Sequence, residues 1–210
     1  NGQRWAPDPD GAVTRLALAF ARAWQREAVQ IDGREKREAT IKAALKLERR
    51  DALGSMLRLA ADLRPIADPG DQWDTDPWLL GTPNGVVDLR TGELRPGQRT
   101  DRITMSTSVA YQPEARSERW EETLMAILVD VNTIDFVQTA IGYSATGDTR
   151  RDCWFLTQGS GRNGKGTVYH PVRRALGDYA AELPAAVFDA RQRAAPYDLA
   201  VLPGKRFVIS

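Results

Sequence analysis

Cysteine and histidine are nearly absent from this sequence, which has one residue of each type, Cys153 and His170. A single cysteine excludes a disulfide within the chain. One cysteine and one histidine also argue against a structural zinc site, which needs four such ligands. This cysteine usage predicts an intracellular protein.

Long apolar runs and an excess of charge of one sign are missing as well. No apolar stretch approaches the roughly 20 residues that cross a bilayer, and the N-terminus has no apolar signal region, so we expect no membrane contact. Lysine plus arginine number 29 and aspartate plus glutamate 28. Without a global basic field, contact with nucleic acid must come from a local stripe or from an assembly of subunits. The sequence does not begin with Met, and we expect it to start partway through a longer protein.

Apolar residues recur at three- and four-residue steps between positions 10 and 64, which predicts a packed helical bundle. The first stripe consists of Val13, Leu16, Phe20 and Trp24. Asp32-Gly33 interrupts the pattern, and a charged helix is predicted at 34–49. The last stripe consists of Leu53, Met56, Leu57, Ala60 and Leu63. Pro65 is expected to end this helix, because proline disfavours helical geometry in the residue before it.

Between positions 79 and 111 the apolar residues no longer recur at three- and four-residue steps, and β-structure is predicted there. After the turn signal Asn84-Gly85, residues 86–89 form a short strand that a tight connection joins to a second strand at 93–95, giving a β-hairpin. Residues 103–111 are rich in Thr, Ser and Val, which predicts a further strand.

Two more helices are predicted before a boundary at 143–152. The first carries Trp120, Leu124, Ile127 and Leu128, and the second carries Phe136, Val137, Ala140 and Ile141. Asn132 or Thr133 is the expected N-cap of the second helix.

A glycine-rich loop follows a short apolar run at 153–157, which lacks alternation and is predicted to be a strand buried on both faces. The loop consists of Gly159, Ser160, Gly161, Arg162, Asn163, Gly164, Lys165, Gly166 and Thr167. Its glycines let backbone N–H groups point at phosphates, and a helix beginning near Gly166 adds its unpaired N–H groups. Lys165 would reach the β- and γ-phosphates. We predict that these residues bind ATP and that Lys165 is catalytic.

The loop departs from the strict phosphate-binding pattern at one position. That pattern has Ser or Thr directly after the lysine, whereas this sequence has Gly166 there and Thr167 one place later. We expect Thr167 to take the Mg²⁺ contact, unless water holds the ion. A loop with a purely structural role is the alternative, and the predicted strand before the loop and helix after it favour phosphate binding.

With these motifs in order, the whole chain resembles the phage, plasmid and poxvirus type of primase-helicase, whose motor is a superfamily 3 helicase. The stretches that carry the resemblance are Asp-Thr-Asp-Pro-Trp-Leu-Leu at 74–80, Asn-Gly-Val-Val-Asp-Leu-Arg-Thr-Gly-Glu-Leu at 84–94, Gly-Tyr at 142–143 with Thr-Gly-Asp at 146–148, Gly-Arg-Asn-Gly-Lys-Gly-Thr at 161–167, and Leu-Pro-Gly-Lys-Arg-Phe-Val-Ile at 202–209.

The resemblance implies an α+β N-terminal module at 1–145, a helical bundle plus the β-hairpin. The start of an α/β P-loop domain of the AAA+ type follows at 150–210, truncated before the second acidic motif. It further implies an ATP-dependent DNA helicase in the full-length protein, with ATP and Mg²⁺ as cofactors, DNA as partner, a homo-hexameric ring and a cytoplasmic location. In such proteins the acidic residues for hydrolysis follow the strand at 206–209, and a further strand separates this strand from the one at 153–157. Residues 1–210 alone are therefore expected to hydrolyse ATP weakly or not at all.

Two other functions stay open. One is another P-loop NTPase or a small-molecule kinase, although the long segment before the loop carries no substrate-site signal. The other is a non-catalytic assembly or DNA-docking module with an inactive phosphate loop. No nucleic-acid contact is assigned, because the basic face of Lys42, Lys46 and Arg50 is interleaved with acids. His170 receives no role, since the sequence places no acid or nucleophile beside it.

Overall fold

A computed structural model describes residues 2–151, 153–188 and 196–210, and these form a mixed α and β fold, as predicted. The chain divides into two compact units: Ala6–Asp71, called the helical unit, and Asn1–Trp5 with Gln72–Ser210, called the mixed unit. The helical unit contains α1 Ala12–Ala28, α2 Arg34–Leu47 and α3 Arg50–Asp62. The mixed unit contains β1 Leu79–Thr82, β2 Gly85–Asp88, β3 Glu93–Arg95, α4 Glu118–Leu128, α5 Val131–Ala145, α6 Lys165–Leu176, β4 Ala180–Glu182, α7 Pro196–Leu199 and β5 Phe207–Ile209.

The helical unit confirms the three predicted helices but packs them through a different face of α1. Its buried side chains, among the described residues, are Ala17, Ala21, Ala28, Ala44 and Leu53. The predicted core stripe is wrong, because Val13, Leu16 and Phe20 are 48%, 70% and 58% exposed. Alanines let helix axes approach closely, since the interaxial distance depends on the side chains at the contact. The alanine face of α1 therefore turns inward and the large apolar side chains lie outside.

The predicted hairpin is present in the mixed unit as part of a three-stranded antiparallel sheet of order β1-β2-β3. Val87 pairs with Leu94 and Asp88 with Glu93, so the predicted pairing of 86–89 with 93–95 is confirmed. The first strand, β1, was not predicted from the sequence. It pairs with β2 across the turn at Asn84, with Thr82 opposite Gly85.

The predicted strand at 103–111 is wrong. Its backbone donors bond to separate partners instead of one neighbouring strand: the Thr104 N–H donates to the Asp74 carboxylate (2.8 Å). The Thr107 N–H donates to the Gly81 carbonyl (2.9 Å), and the Ser108 N–H donates to the Ala175 carbonyl (3.0 Å). A ladder needs regularly spaced bonds to one strand, so β-propensity alone does not decide the structure here.

Helices α4 and α5 are present where predicted, but the N-cap of α5 is neither Asn132 nor Thr133. The cap is Asp130, whose carboxylate accepts hydrogen bonds from the Thr133 N–H and the Thr133 hydroxyl, both at 2.8 Å. Asp130 has the extended backbone of an N-cap, whereas the two predicted residues already lie inside the helix.

The helix after the glycine-rich loop and the strand near the end of the chain are confirmed. Helix α6 begins at Lys165, and β5 pairs with β4 in a parallel two-stranded sheet with Ala181 opposite Val208. The predicted buried strand at 153–157 is wrong: no strand forms there, and Trp154 and Leu156 are 79% and 77% exposed. A buried strand needs partners for its backbone groups, and none of the described strands pairs with this segment.

The core of the mixed unit joins helices to both sheets. One cluster, formed by Leu124, Val137 and Val168, packs α4, α5 and α6 together. A second cluster surrounds Tyr179, whose hydroxyl accepts from the Gly81 N–H (2.9 Å) and donates to the Met105 carbonyl (3.2 Å). Burial raises the pKa of the Tyr179 phenol, so the neutral donor is the form held at this position.

Arg206, directly before β5, fastens three further segments of the mixed unit. Its guanidinium donates to four carbonyls, those of Leu79 (2.9 Å) and of Asp76, Pro77 and Ala145 (3.3 Å each). It also lies 4.6 Å from the Tyr179 ring centre. Burial lowers the pKa of this guanidinium, since it disfavours the charged form.

Among the described residues, no single helix has the length and hydropathy to cross a membrane. Helices α4 and α5 pass that test only as a pair, and the chain bends by 115° between them.

Candidate functional site

The glycine-rich loop at 159–167 follows a curved path into α6. Gly161, Arg162 and Gly164 have positive φ angles of 79°, 49° and 84°. Glycine takes such angles without steric cost, and the curvature they produce is the kind that directs successive N–H groups to one side. The loop therefore has the bent backbone that the predicted phosphate-binding role requires.

Gly164 is the N-cap of α6 and lies against α4. A Cβ built on Gly164 would lie 2.7 Å from both Cδ1 and Cγ1 of Ile127, so a side chain at this position would force Ile127 to shift. Val168, one turn into α6, is buried in the cluster with Leu124 of α4. The end of the loop is therefore positioned by direct packing on α4.

The side chains of Asn163 and Lys165 lie over Gly159. The Lys165 ammonium donates to the Asn163 side-chain oxygen (2.9 Å), and a Cβ on Gly159 would lie 3.2 Å from Lys165 Nζ. Within the described parts of the chain, no carboxylate forms an ion pair with Lys165. The structure thus brings Gly159, Asn163 and Lys165 together, with an uncompensated positive charge at the loop.

Gly166 and Thr167 belong to the first turn of α6 but lie on a different side of the helix from Lys165. At 3.6 residues per turn, Thr167 lies about 200° around the helix axis from Lys165. Both residues line an open cleft together with Ser108 and His170. The His170 imidazole covers Gly166, since a Cβ there would lie 3.1 Å from His170 Cδ2 and Nε2. Sequence reasoning missed this contact, although the four-residue spacing of the two positions on a helix was a usable signal.

Carboxylate clusters that could hold a metal ion are absent from the described residues. The side-chain oxygens that the loop itself supplies are the exposed hydroxyls of Ser160 and Thr167 and the amide oxygen of Asn163, which accepts from Lys165. Mg²⁺ prefers oxygen ligands and is commonly bound through one or two carboxylates together with substrate phosphates and water. The loop residues therefore fit an ion that arrives with a nucleotide and do not form a metal cage of their own.

A groove of about 970 Å³ lies beside the loop in the mixed unit. One wall is the segment with Trp154, Phe155 and Leu156, and the other includes Phe207 and Val208 of β5. The edge of β5 opposite β4 pairs with no other described strand. Two apolar segments thus contribute to the lining of the same groove.

Comparison with protein families and with curated proteins finds one family match and one viral relative. Residues 1–129 match the family described as "D5 N terminal like", which covers 129 of the 210 residues and ends before the loop. A protein of Acanthamoeba polyphaga mimivirus named "Putative helicase L207/L206" is 27% identical over 109 residues. That alignment covers 50% of this chain and 11% of the viral protein, so the chain spans only a small part of this relative.

Proposed function

The chain belongs to the D5 N-terminal-like family, and from this premise we propose that it is part of a replicative DNA helicase of the primase-helicase type, in which residues 159–167 bind ATP. In the full-length protein, ATP hydrolysis would drive movement on DNA and its unwinding. The observation that carries this proposal is the curved loop at the start of α6 with Lys165 Nζ held over Gly159.

The chemistry of phosphate binding follows from the loop and the helix it enters. Backbone N–H groups of the loop and of the first turn of α6 donate to phosphate oxygens, and the positive end of the helix dipole adds to this attraction. Lys165 exchanges its bond to the neutral Asn163 amide oxygen for a bond to a phosphate oxygen, in which both the donor and the acceptor are charged.

Mg²⁺ would neutralise phosphate charge and polarise the phosphoryl group when bound. We propose Thr167 as its hydroxyl contact, acting through water because the residue lies about 200° around α6 from Lys165. We also retain as proposals the homo-hexameric ring on DNA, the cytoplasmic location and a functional division into 1–145 and 150–210. The resemblance to phage- and plasmid-type primase-helicases supports each of them.

The test of ATP binding is Lys165→Ala, with Lys42→Ala as the matched control. Lys42 is exposed on α2 in the helical unit, so its removal changes the net charge equally without touching the loop. We expect Lys165→Ala to weaken ATP binding about 10- to 100-fold, because hydrogen bonds to charged groups contribute about 1.5–3 kcal/mol. Isothermal titration calorimetry measures the change, with circular dichroism to verify folding. Equal ATP affinity in both variants and the unchanged chain contradicts the proposal.

A non-catalytic assembly or DNA-docking module is the second candidate. The family match favours it in one respect, because the match covers residues 1–129 and stops before the loop. Measurable ATP binding that Lys165→Ala abolishes excludes this alternative. Another P-loop NTPase or kinase would bind ATP with an affinity that DNA leaves unchanged.

A further inference from the structure

The outer face of α6 and the segment around Ser108 form the two walls of an open cleft of about 850 Å³. These walls are fastened together: the Ser108 N–H donates to the Ala175 carbonyl and the Asp178 N–H donates to the Ser106 carbonyl, both at 3.0 Å. They also approach closely, since a Cβ on Gly177 would lie 2.7 Å from the Ser108 nitrogen and hydroxyl. The cleft therefore has a fixed shape and does not depend on a loose surface loop.

The cleft carries donors and positive charge without acids. Thr167, His170, Arg173 and Arg174 come from α6, Ser108 comes from the facing wall, and none of the described lining residues is Asp or Glu. The opposite side of α6, with Val168 and Leu176, is buried, so the helix holds these donors in a fixed register.

The two arginines differ in how far they are already paired. Arg173 contacts Glu182 at 3.3 Å, while its Nε atom is buried and has no hydrogen-bond partner within the described structure. Arg174 is exposed, and no described residue forms a hydrogen bond or an ion pair with its guanidinium. Arg174 is thus available to an anion, whereas the Arg173 guanidinium is shared with Glu182 and its unpaired Nε is buried.

We propose that this cleft, called the α6 cleft, binds the phosphodiester backbone of a DNA strand. Arg173, Arg174 and the hydroxyl of Ser108 are the side-chain types that contact phosphate oxygens in such interfaces. From Thr167 to Arg174 the lining of the cleft extends about 10 Å along the helix, which exceeds the size of one phosphate group. Several linked phosphates match this length. That the polymer is DNA rests on the proposed function, whereas the anion-binding character rests on the cleft alone.

The test measures binding of the 210-residue chain to a fluorescent oligothymidylate by anisotropy across a series of salt concentrations. Arg174→Gln is expected to weaken binding about three- to tenfold and to reduce the magnitude of the salt slope by about 0.7, since one phosphate contact is lost. Arg174→Glu is expected to weaken it further. The matched control is Arg119→Gln on α4, which removes the same charge from an exposed site outside the cleft and is expected to bind as the unchanged chain does.

Three results would overturn the proposal: no binding of the oligonucleotide at low salt, equal affinity in Arg174→Gln and Arg119→Gln, or displacement of the oligonucleotide by equimolar inorganic phosphate. The last result would identify a site for a single anion. Failure here is separable from failure of the ATP site. Arg174→Gln should keep ATP binding, and Lys165→Ala should keep oligonucleotide binding, because Lys165 does not line the α6 cleft.

Discussion

Gly164 is the residue at which the glycine-rich loop, α6 and α4 meet, and both its conformation and its surroundings favour glycine. We predict that Gly164→Ala destabilises the protein by about 1–3 kcal/mol. The new Cβ would meet Ile127 at 2.7 Å, and overpacking of this kind costs that amount. A φ of 84° adds the cost of a left-handed conformation for a residue with a side chain. Urea denaturation measures the change in the free energy of unfolding.

Gly142→Ala is the matched control for this prediction. Gly142 lies within α5, and a Cβ there has no atom within 4 Å. Alanine is expected to stabilise the helix by about 0.5–1 kcal/mol, because it loses less backbone entropy than glycine. Opposite signs for the two substitutions support the packing role of Gly164, and a stabilising Gly164→Ala contradicts it.

For single residues, the sequence identifies the glycines and the lysine of the loop but does not show which side chains contact them. The glycines and Lys165 are recognisable from their spacing alone. The contact of Gly164 with Ile127 and the four-carbonyl role of Arg206 depend on residues far away in the chain, which no local pattern encodes.

Among the elements, the end of β3 is fixed by a bidentate ion pair. Arg95 donates to both oxygens of Asp101 at 2.9 and 2.7 Å, and the Gln98 N–H donates to the same carboxylate at 2.7 Å. The Asp101 side chain is only 8% exposed. The hydrogen bonds from Arg95 lower the pKa of Asp101 below its ordinary value, because they favour the charged carboxylate.

We predict that Asp101→Asn lowers stability at neutral pH by about 1–3 kcal/mol and reduces the loss of stability in acid. A depressed carboxyl pKa contributes stability that is complete above the unfolded-state pKa of about 3.9 and disappears as pH falls through the lowered pKa. The variant has no such carboxylate to protonate. Urea midpoints between neutral pH and acid measure the difference between the two proteins. Parallel midpoint curves would show that this ion pair is not linked to folding.

The sequence predicted elements well where local patterns coincide with the final contacts. Helices α1, α3, α4 and α5 and the β2-β3 hairpin follow from apolar periodicity and turn residues, which act within a few positions. Helix α2 follows from the break at Asp32-Gly33, and α6 from the glycine-rich loop before it. The segments 103–111 and 153–157 have strand-like composition but no pairing strand among the described residues. Whether such a segment becomes a strand depends on a partner strand that is distant in the sequence. The resemblance implies that a further strand separates the segment 153–157 from the strand at 206–209.

For the whole molecule, the compact units divide the chain at Asp71, while the boundary expected from the sequence lies between 145 and 150. Helix α6, beyond that boundary, shares a buried cluster with α4 and α5, which precede it. The composition of the glycine-rich loop suggests a domain boundary. The buried cluster of α4, α5 and α6, however, contains residues from both sides of that loop. The proposed division at 145–150 is therefore one of function within a single packed unit.

The two units differ in the apolar side chains that they bury, and this difference predicts that they open separately. Among described residues the helical unit buries four alanines and Leu53, whereas the mixed unit buries larger side chains such as Leu124 and Tyr179. Free energy from apolar burial scales with the buried area, so amides of α1 to α3 should exchange with solvent before those of β1 to β3. Hydrogen exchange measured by mass spectrometry resolves the two sets of peptides.

Two leucine-to-alanine substitutions, one in each unit, test this prediction. Leu53→Ala and Leu124→Ala each remove a buried leucine, at 6% and 1% exposure, and each should cost about 2–5 kcal/mol. If the units unfold independently, Leu53→Ala accelerates exchange only within 12–62 and Leu124→Ala only within 79–209, because a cavity destabilises the unit that contains it. If either substitution accelerates exchange equally in both sets of peptides, the chain unfolds as one cooperative unit. Then the small core of the helical unit would be stabilised by the rest of the protein.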